Sequence, residues 1–137
     1  MRHALTIGPA MVLAIVMAFD WTTISLESAV KKSDIIVIGT LRNVSEETHD
    51  GIDYGTGEIT VDEVLRGKAR PGEKLVLKWQ NESNVMCPRV EHEDDSNKQL
   101  IWLLTITRDQ NVAADNPGRV AVLEKKQRVI ELIHELP

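Results

Sequence analysis

Hydrophobic and polar positions divide the chain into an apolar N-terminal block, an alternating middle and an amphipathic end. Ala4 to Ala18 holds no charged residue and is rich in Ile, Leu, Val, Met and Ala, after a positively charged Met1-Arg2-His3. Ser25 offers a hydroxyl to cap a helix. Leu26, Ala29 and Val30 follow at helical spacing, with Lys31-Lys32 at the end where the helix dipole favours cations. This predicts a short helix over 26–33. Ile35-Ile36-Val37-Ile38 is a continuous β-branched run, which suits a strand covered on both faces. Gly39 marks a bulge or bend in it, and the strand resumes over 40–44. Ser45 to Gly57 is polar, contains Gly51, Gly55 and Gly57, and reads as a hairpin loop.

Alternation returns over 58–65, where Val64-Leu65 shifts the register and predicts a second bulge. Leu75, Leu77 and Trp79 alternate with polar residues in a half-exposed strand over 74–80. A polar excursion over 80–97 precedes Leu100 to Ile106, the most apolar stretch after the N-terminal block, which reads as a central strand. Asn116-Pro117-Gly118 is a turn, and 119–123 forms a short last strand. Val129, Ile130, Leu132, Ile133 and Leu136 then share one face of an amphipathic helix over 124–136. Five strands with flanking helices predict a mainly β domain. The expected architecture is a five-stranded OB-like barrel, whose closure hides strand edges, with a short N-terminal and a C-terminal amphipathic helix.

Length and charge narrow the reading. A chain of 137 residues suits one domain. The charged start, apolar run and Val16-Met17-Ala18 have the layout of a secretory signal peptide over 1–18, with 19–137 as the domain. A spanning helix needs about 20 apolar residues; this run is shorter and contains Pro9, although an uncleaved anchor and a buried helix are the alternatives. No cysteine follows the run to carry a lipid. Removal of the eighteen residues leaves 119; it takes away Arg2 and no acid, so net charge moves from −5 to −6. The expected compartment is therefore periplasmic or secreted, with membrane contact only through an uncleaved N-terminal segment. An acidic chain whose basic residues cluster only at Lys31-Lys32, Lys68-Arg70 and Lys125-Arg128 is not expected to bind nucleic acid.

The order of motifs carries a resemblance. A helix ending Val30-Lys31-Lys32-Ser33-Asp34 runs into Ile35 to Gly39. A hairpin leads to Ile59-Thr60-Val61-Asp62-Glu63-Val64-Leu65-Arg66-Gly67. After Pro71-Gly72-Glu73 come Leu75-Val76-Leu77, Cys87 and Leu100-Ile101-Trp102-Leu103-Leu104. Over roughly 26–135 this resembles the netrin-like module of the tissue inhibitors of metalloproteinases, and is similar also to exported bacterial proteins of unassigned function. The resemblance implies an OB-like fold. Its zinc-directed mechanism does not carry over: the inhibitors use an N-terminal cysteine, whereas this mature chain would begin near Phe19, and the family's disulfides are missing. Only Cys87 stands at a family-like cysteine position.

Few constellations point to chemistry. Glu91-His92-Glu93-Asp94-Asp95 is the densest set of ligand atoms and could hold a divalent cation or serve a metal-dependent enzyme. It lacks the glycine and spacing of a calcium loop, which favours a solvated acidic loop instead. His49, Asp50 and Asp53 surround Gly51, where Asp and Gly are also favoured by turn geometry. Cys87 could bridge two copies by a disulfide or pair with His92 as a nucleophile, but Val85, Met86 and Pro88 suit a buried thiol. Trp79 and Trp102 could stack ligands or pack the core. Asn43-Val44-Ser45 and Asn81-Glu82-Ser83 match a glycosylation acceptor pattern. No phosphate loop, G-x-S-x-G, H-E-x-x-H or C-x-x-C occurs, and no cofactor is implied. The pattern points to a non-catalytic binding module for a protein or small ligand, using the barrel rim at 45–57 and 81–97. The chain is expected to be a monomer or a weak homodimer.

Overall fold

A computed structural model describes residues 23–82 and 90–137. The expected signal segment and Cys87 lie outside the described residues. Helix α1 (Leu26–Lys31) starts at Ser25, whose side chain accepts from the Ser28 N–H. The strands are β1 (Ile35–His49), β2 (Ile52–Arg66), β3 (Lys74–Glu82), β4 (Gln99–Ile106), β5 (Val112–Ala113) and β6 (Val120–Ala121). A one-turn 3₁₀ helix, His92–Asp95, lies between β3 and β4, and helix α2 (Lys126–His134) closes the chain.

The six strands run in the order β1-β2-β3-β5-β4-β6, and β1 also pairs with β4. The first five therefore form a ring. All pairs are antiparallel except β3–β5, which meets in parallel at Leu77 and Val112 alone. Two expectations are corrected. The fifth ring strand is β5, whereas the expected strand over 119–123 shrinks to β6, outside the ring on β4. Nor is 45–57 a loop: β1 runs to His49 and β2 starts at Ile52, joined by Asp50 and Gly51 at φ 52° and 77°. Two successive left-handed residues give the turn twist that hairpins favour. Gly55 and Gly57 are strand residues, and they are glycine because a Cβ there would run into the Trp79 indole and the Leu41 side chain respectively.

The bulges fall where the alternation breaks. Leu65 is the extra residue between the Ile36–Arg66 and Val37–Val64 pairs, and Asp62 between Ile38–Glu63 and Gly39–Val61. Ile35 and Val37 point into the ring with Leu41, Ile59, Leu77, Leu100, Trp102 and Leu104. Ile36 and Ile38 point outward with Ile101 and Leu103 and are covered by Ala29, Val30, Val129 and Leu132 of the helices. The uninterrupted apolar runs of β1 and β4 thus serve two cores at once.

One buried cation ties these layers together. Arg119 Nη1 donates to Ser33 Oγ and to the Leu103 carbonyl, both at 3.1 Å, and Ser33 Oγ donates to the Ala29 carbonyl at 2.6 Å. Arg66 donates to the Val30 carbonyl at 3.1 Å. Both guanidinium groups thus serve the carbonyl end of α1, where positive charge is favoured.

Candidate functional site

The acidic run is split by its fold. His92 is 2% exposed, whereas Glu91, Glu93 and Asp94 face solvent. The His92 ring lies edge-on to Trp79 and Trp102, with centroids 5.0 and 5.7 Å away. Its Nδ1 is 3.3 Å from Asp95 Oδ2 and its Nε2 is 3.0 Å from the Ala114 carbonyl oxygen. Both ring nitrogens face oxygen acceptors, so the imidazole links the 3₁₀ turn, two strands and the segment after β5. Trp102 Nε1 donates to the Gly39 carbonyl at 3.1 Å. Trp79, 4% exposed, has a buried Nε1 with no hydrogen-bond partner among the described residues. Both indoles are core residues.

The second constellation is dispersed. His49 is exposed at the hairpin tip, 3.1 Å from Glu47 and beside the Tyr54 ring. Asp50 occupies the turn. Asp53 is buried and accepts from Thr48 Oγ1 at 2.6 Å across the strand pair. Register places Asp53 opposite Asn81, whose amide donates to the Val90 carbonyl at 2.8 Å and accepts from the Val90 N–H at 2.9 Å. The two candidate segments are thereby linked through the Asn81 side chain. Among the described residues, however, no three His, Cys, Asp or Glu side chains come together as a metal-binding group. A hollow of about 350 Å³ touches Glu91, His92, Asp94 and Asp95, with Leu100 and Val122 opposite.

A larger concavity lies elsewhere. A groove of about 830 Å³ runs between the outer part of the hairpin and the β4–β5 turn, within the size range of small-ligand sites. One wall is Ser45, Glu47, Tyr54, Thr56, Lys78 and Gln80; Thr107, Asp109, Ala113 and Asp115 form the other, with Trp79 and Val90 between. Strand alternation builds the first wall, since Tyr54 and Thr56 lie opposite Gln80 and Lys78. Tyr54 is 43% exposed, an aromatic face open to a ligand. Turn chemistry builds the second. Thr107 N–H donates to the Asn111 carbonyl at 2.8 Å, the Asn111 N–H donates to Thr107 Oγ1 at 3.2 Å, and Gln110 adopts φ 66°. Thr107 Oγ1 donates to Asp109, and Lys78 Nζ reaches the same carboxylate at 3.2 Å. Those two hydrogen bonds, Thr107 above all, hold the Asp109 carboxyl well below the usual carboxylate range.

Of the groove lining, the hairpin side and Val90 alone fall in the rim segments that the sequence singles out. Only the Thr-x-Asp spacing of Thr107 and Asp109, a common turn-forming pattern, signalled its far wall. No described helix is long and apolar enough to cross a membrane. Neither the models of known protein families nor the curated proteins match this chain.

Proposed function

We propose that this chain is an exported, non-catalytic binding module of OB-like, netrin-like fold, and that its ligand surface is the 830 Å³ groove. The groove is the observation that carries the reading. It joins the 45–57 hairpin, one of the two rim segments expected from the sequence, to a turn whose carboxylate is fixed in advance by Thr107 and Lys78. The strand order β1-β2-β3-β5-β4 closed by β1–β4 supports the OB-like assignment, and ligands of that fold meet the β2–β3 face and the adjoining loops. Binding is favoured over catalysis because the imidazole of the acidic run is turned into the core and held at both nitrogens. Export rests on the layout of residues 1–18, and mass determination of the mature N-terminus tests it. For the groove, arrays of peptides, oligosaccharides and small metabolites are screened and hits are mapped by amide shifts. Hits should move Tyr54, Lys78 and Asp115 and be weakened by Tyr54→Ser. Hits that map instead to α2, or turnover of any arrayed compound, would overturn the reading.

A further inference from the structure

The groove exists because one strand pair fails to continue. On one side β3 pairs with β2 over its whole length, from Ile52–Glu82 to Thr60–Lys74. On the other it meets β5 at Leu77 alone. Beyond Leu77, Lys78, Trp79 and Gln80 face no strand on that side among the described residues, and these residues line the groove. An unpaired strand edge is a template for another extended chain, with main-chain hydrogen bonds giving affinity and side-chain sites giving selectivity.

Charge selects the chain. Among the described residues, Glu47, Asp109 and Asp115 line the groove against a single cation, Lys78, which Asp109 already binds. That ion pair is half exposed on both sides, so an incoming cation reaches Asp109 without opening the core. A guanidinium presents two parallel donors to a carboxylate where an ammonium acts as a point charge. Tyr54 supplies an exposed aromatic face in the same groove, of a kind that stacks with a guanidinium.

We infer that the groove takes an extended peptide carrying an arginine or lysine, which adds along the edge of β3 beyond Leu77 and replaces Lys78 on Asp109. The inference rests on the groove being the ligand surface. It requires no closure of the molecule and no bond making.

The test uses the full chain, calorimetry and amide chemical shifts. Three probes are compared: a capped pentapeptide alternating valine and arginine, its glutamate counterpart, and the arginine peptide methylated at alternate backbone amides. The arginine peptide should bind and shift Lys78, Gln80, Thr107 and Asp115, while the other two do not. Asp109→Asn should weaken it about tenfold, the loss of one charge-assisted hydrogen bond. Lys78→Met, which removes the competing cation, should tighten it several-fold, and Lys125→Met, on the helix side, should leave it unchanged. Equal binding of the methylated peptide, equal binding of the acidic peptide, or tighter binding in Lys125→Met to the same degree would each overturn the inference. If an oligosaccharide or other non-peptide ligand shifts the groove and no peptide does, the inference falls and the groove reading stands. If no ligand shifts the groove, both fall.

Discussion

On the side of β1 and β4 both sheet faces are covered, inside by the ring core and outside by α1 and α2. On the side of β3 and the outer hairpin only one face is covered, and polar groups line the other. The same strand β1 crosses from one regime to the other, from Ile35–Ile38 to exposed Glu46, Glu47 and His49. Where two faces are buried, position is set by apolar packing, and the remaining polar groups must be paired internally, as Arg119 and Trp102 are. Where one face is open, position is set by turn backbone and by short-range pairs such as Thr107–Asp109.

Substitutions can break that contrast. The largest effect is expected for Trp102→Ala, which should lower the unfolding free energy by about 3–5 kcal/mol in a denaturant titration. A loss no greater than that of an exposed groove residue would remove the distinction between the two sides. The tryptophans also differ in their N–H groups. Trp102→Phe removes the N–H that donates to the Gly39 carbonyl, whereas Trp79→Phe removes an N–H that has no acceptor among the described residues. The first should therefore be the less stable of the two by about 1–3 kcal/mol. Arg119→Met removes the buried hydrogen bonds to Ser33 and to the Leu103 carbonyl and should lose about 1–3 kcal/mol, measured by the same titration.

The open side responds more weakly. Asn43, at φ 57°, sits at the register shift between Arg42 and Ser45. Replacing it by Val should destabilise by about 1–2 kcal/mol, since a β-branched residue is poorly accommodated there, while Asn43→Gly should be close to neutral. The smallest effect concerns Asp109, an exposed carboxylate. Its pKa is depressed in the folded chain, so the stability it contributes is complete above the ordinary carboxylate range. That contribution is lost as pH falls through the depressed value. Thr107→Val should therefore raise the Asp109 titration midpoint, read by carboxyl carbon shifts, and Lys78→Met should raise it less. An unmoved midpoint in Thr107→Val would show that the turn does not preset the groove.

The two regions were unequally legible. Ile35–Ile38 and Leu100–Leu104 announced themselves because both alternating sets are apolar, and α2 because its apolar face is broad. Both bulges at 62 and 65 lie where period-two alternation fails. The hairpin is hard to read because glycine serves two purposes: Gly51 supplies a left-handed turn, whereas Gly55 makes room for the indole of Trp79, its register partner across in β3. Strand β5 spans two residues, too few to leave a periodic trace. His92 stands among acids and looks solvated; its burial depends on Trp79 and Trp102, brought to it from separate strands. The groove follows from the parting of β3 and β5 after Leu77, a tertiary event with no local pattern.

The ring closes through the β1–β4 pair, where Ile35 meets Leu104 and Ile36 meets Leu103. The β1–β2 and β2–β3 pairs are joined by short connections and can zip up from their turns, but the closing pair must wait for most of the chain. Until β4 arrives, the apolar run of β1 is an unpaired edge exposed on both faces. Such edges recruit other chains. Yield on refolding should therefore fall with protein concentration more steeply than stability alone would dictate, and the lag should track the long-range step rather than hairpin formation.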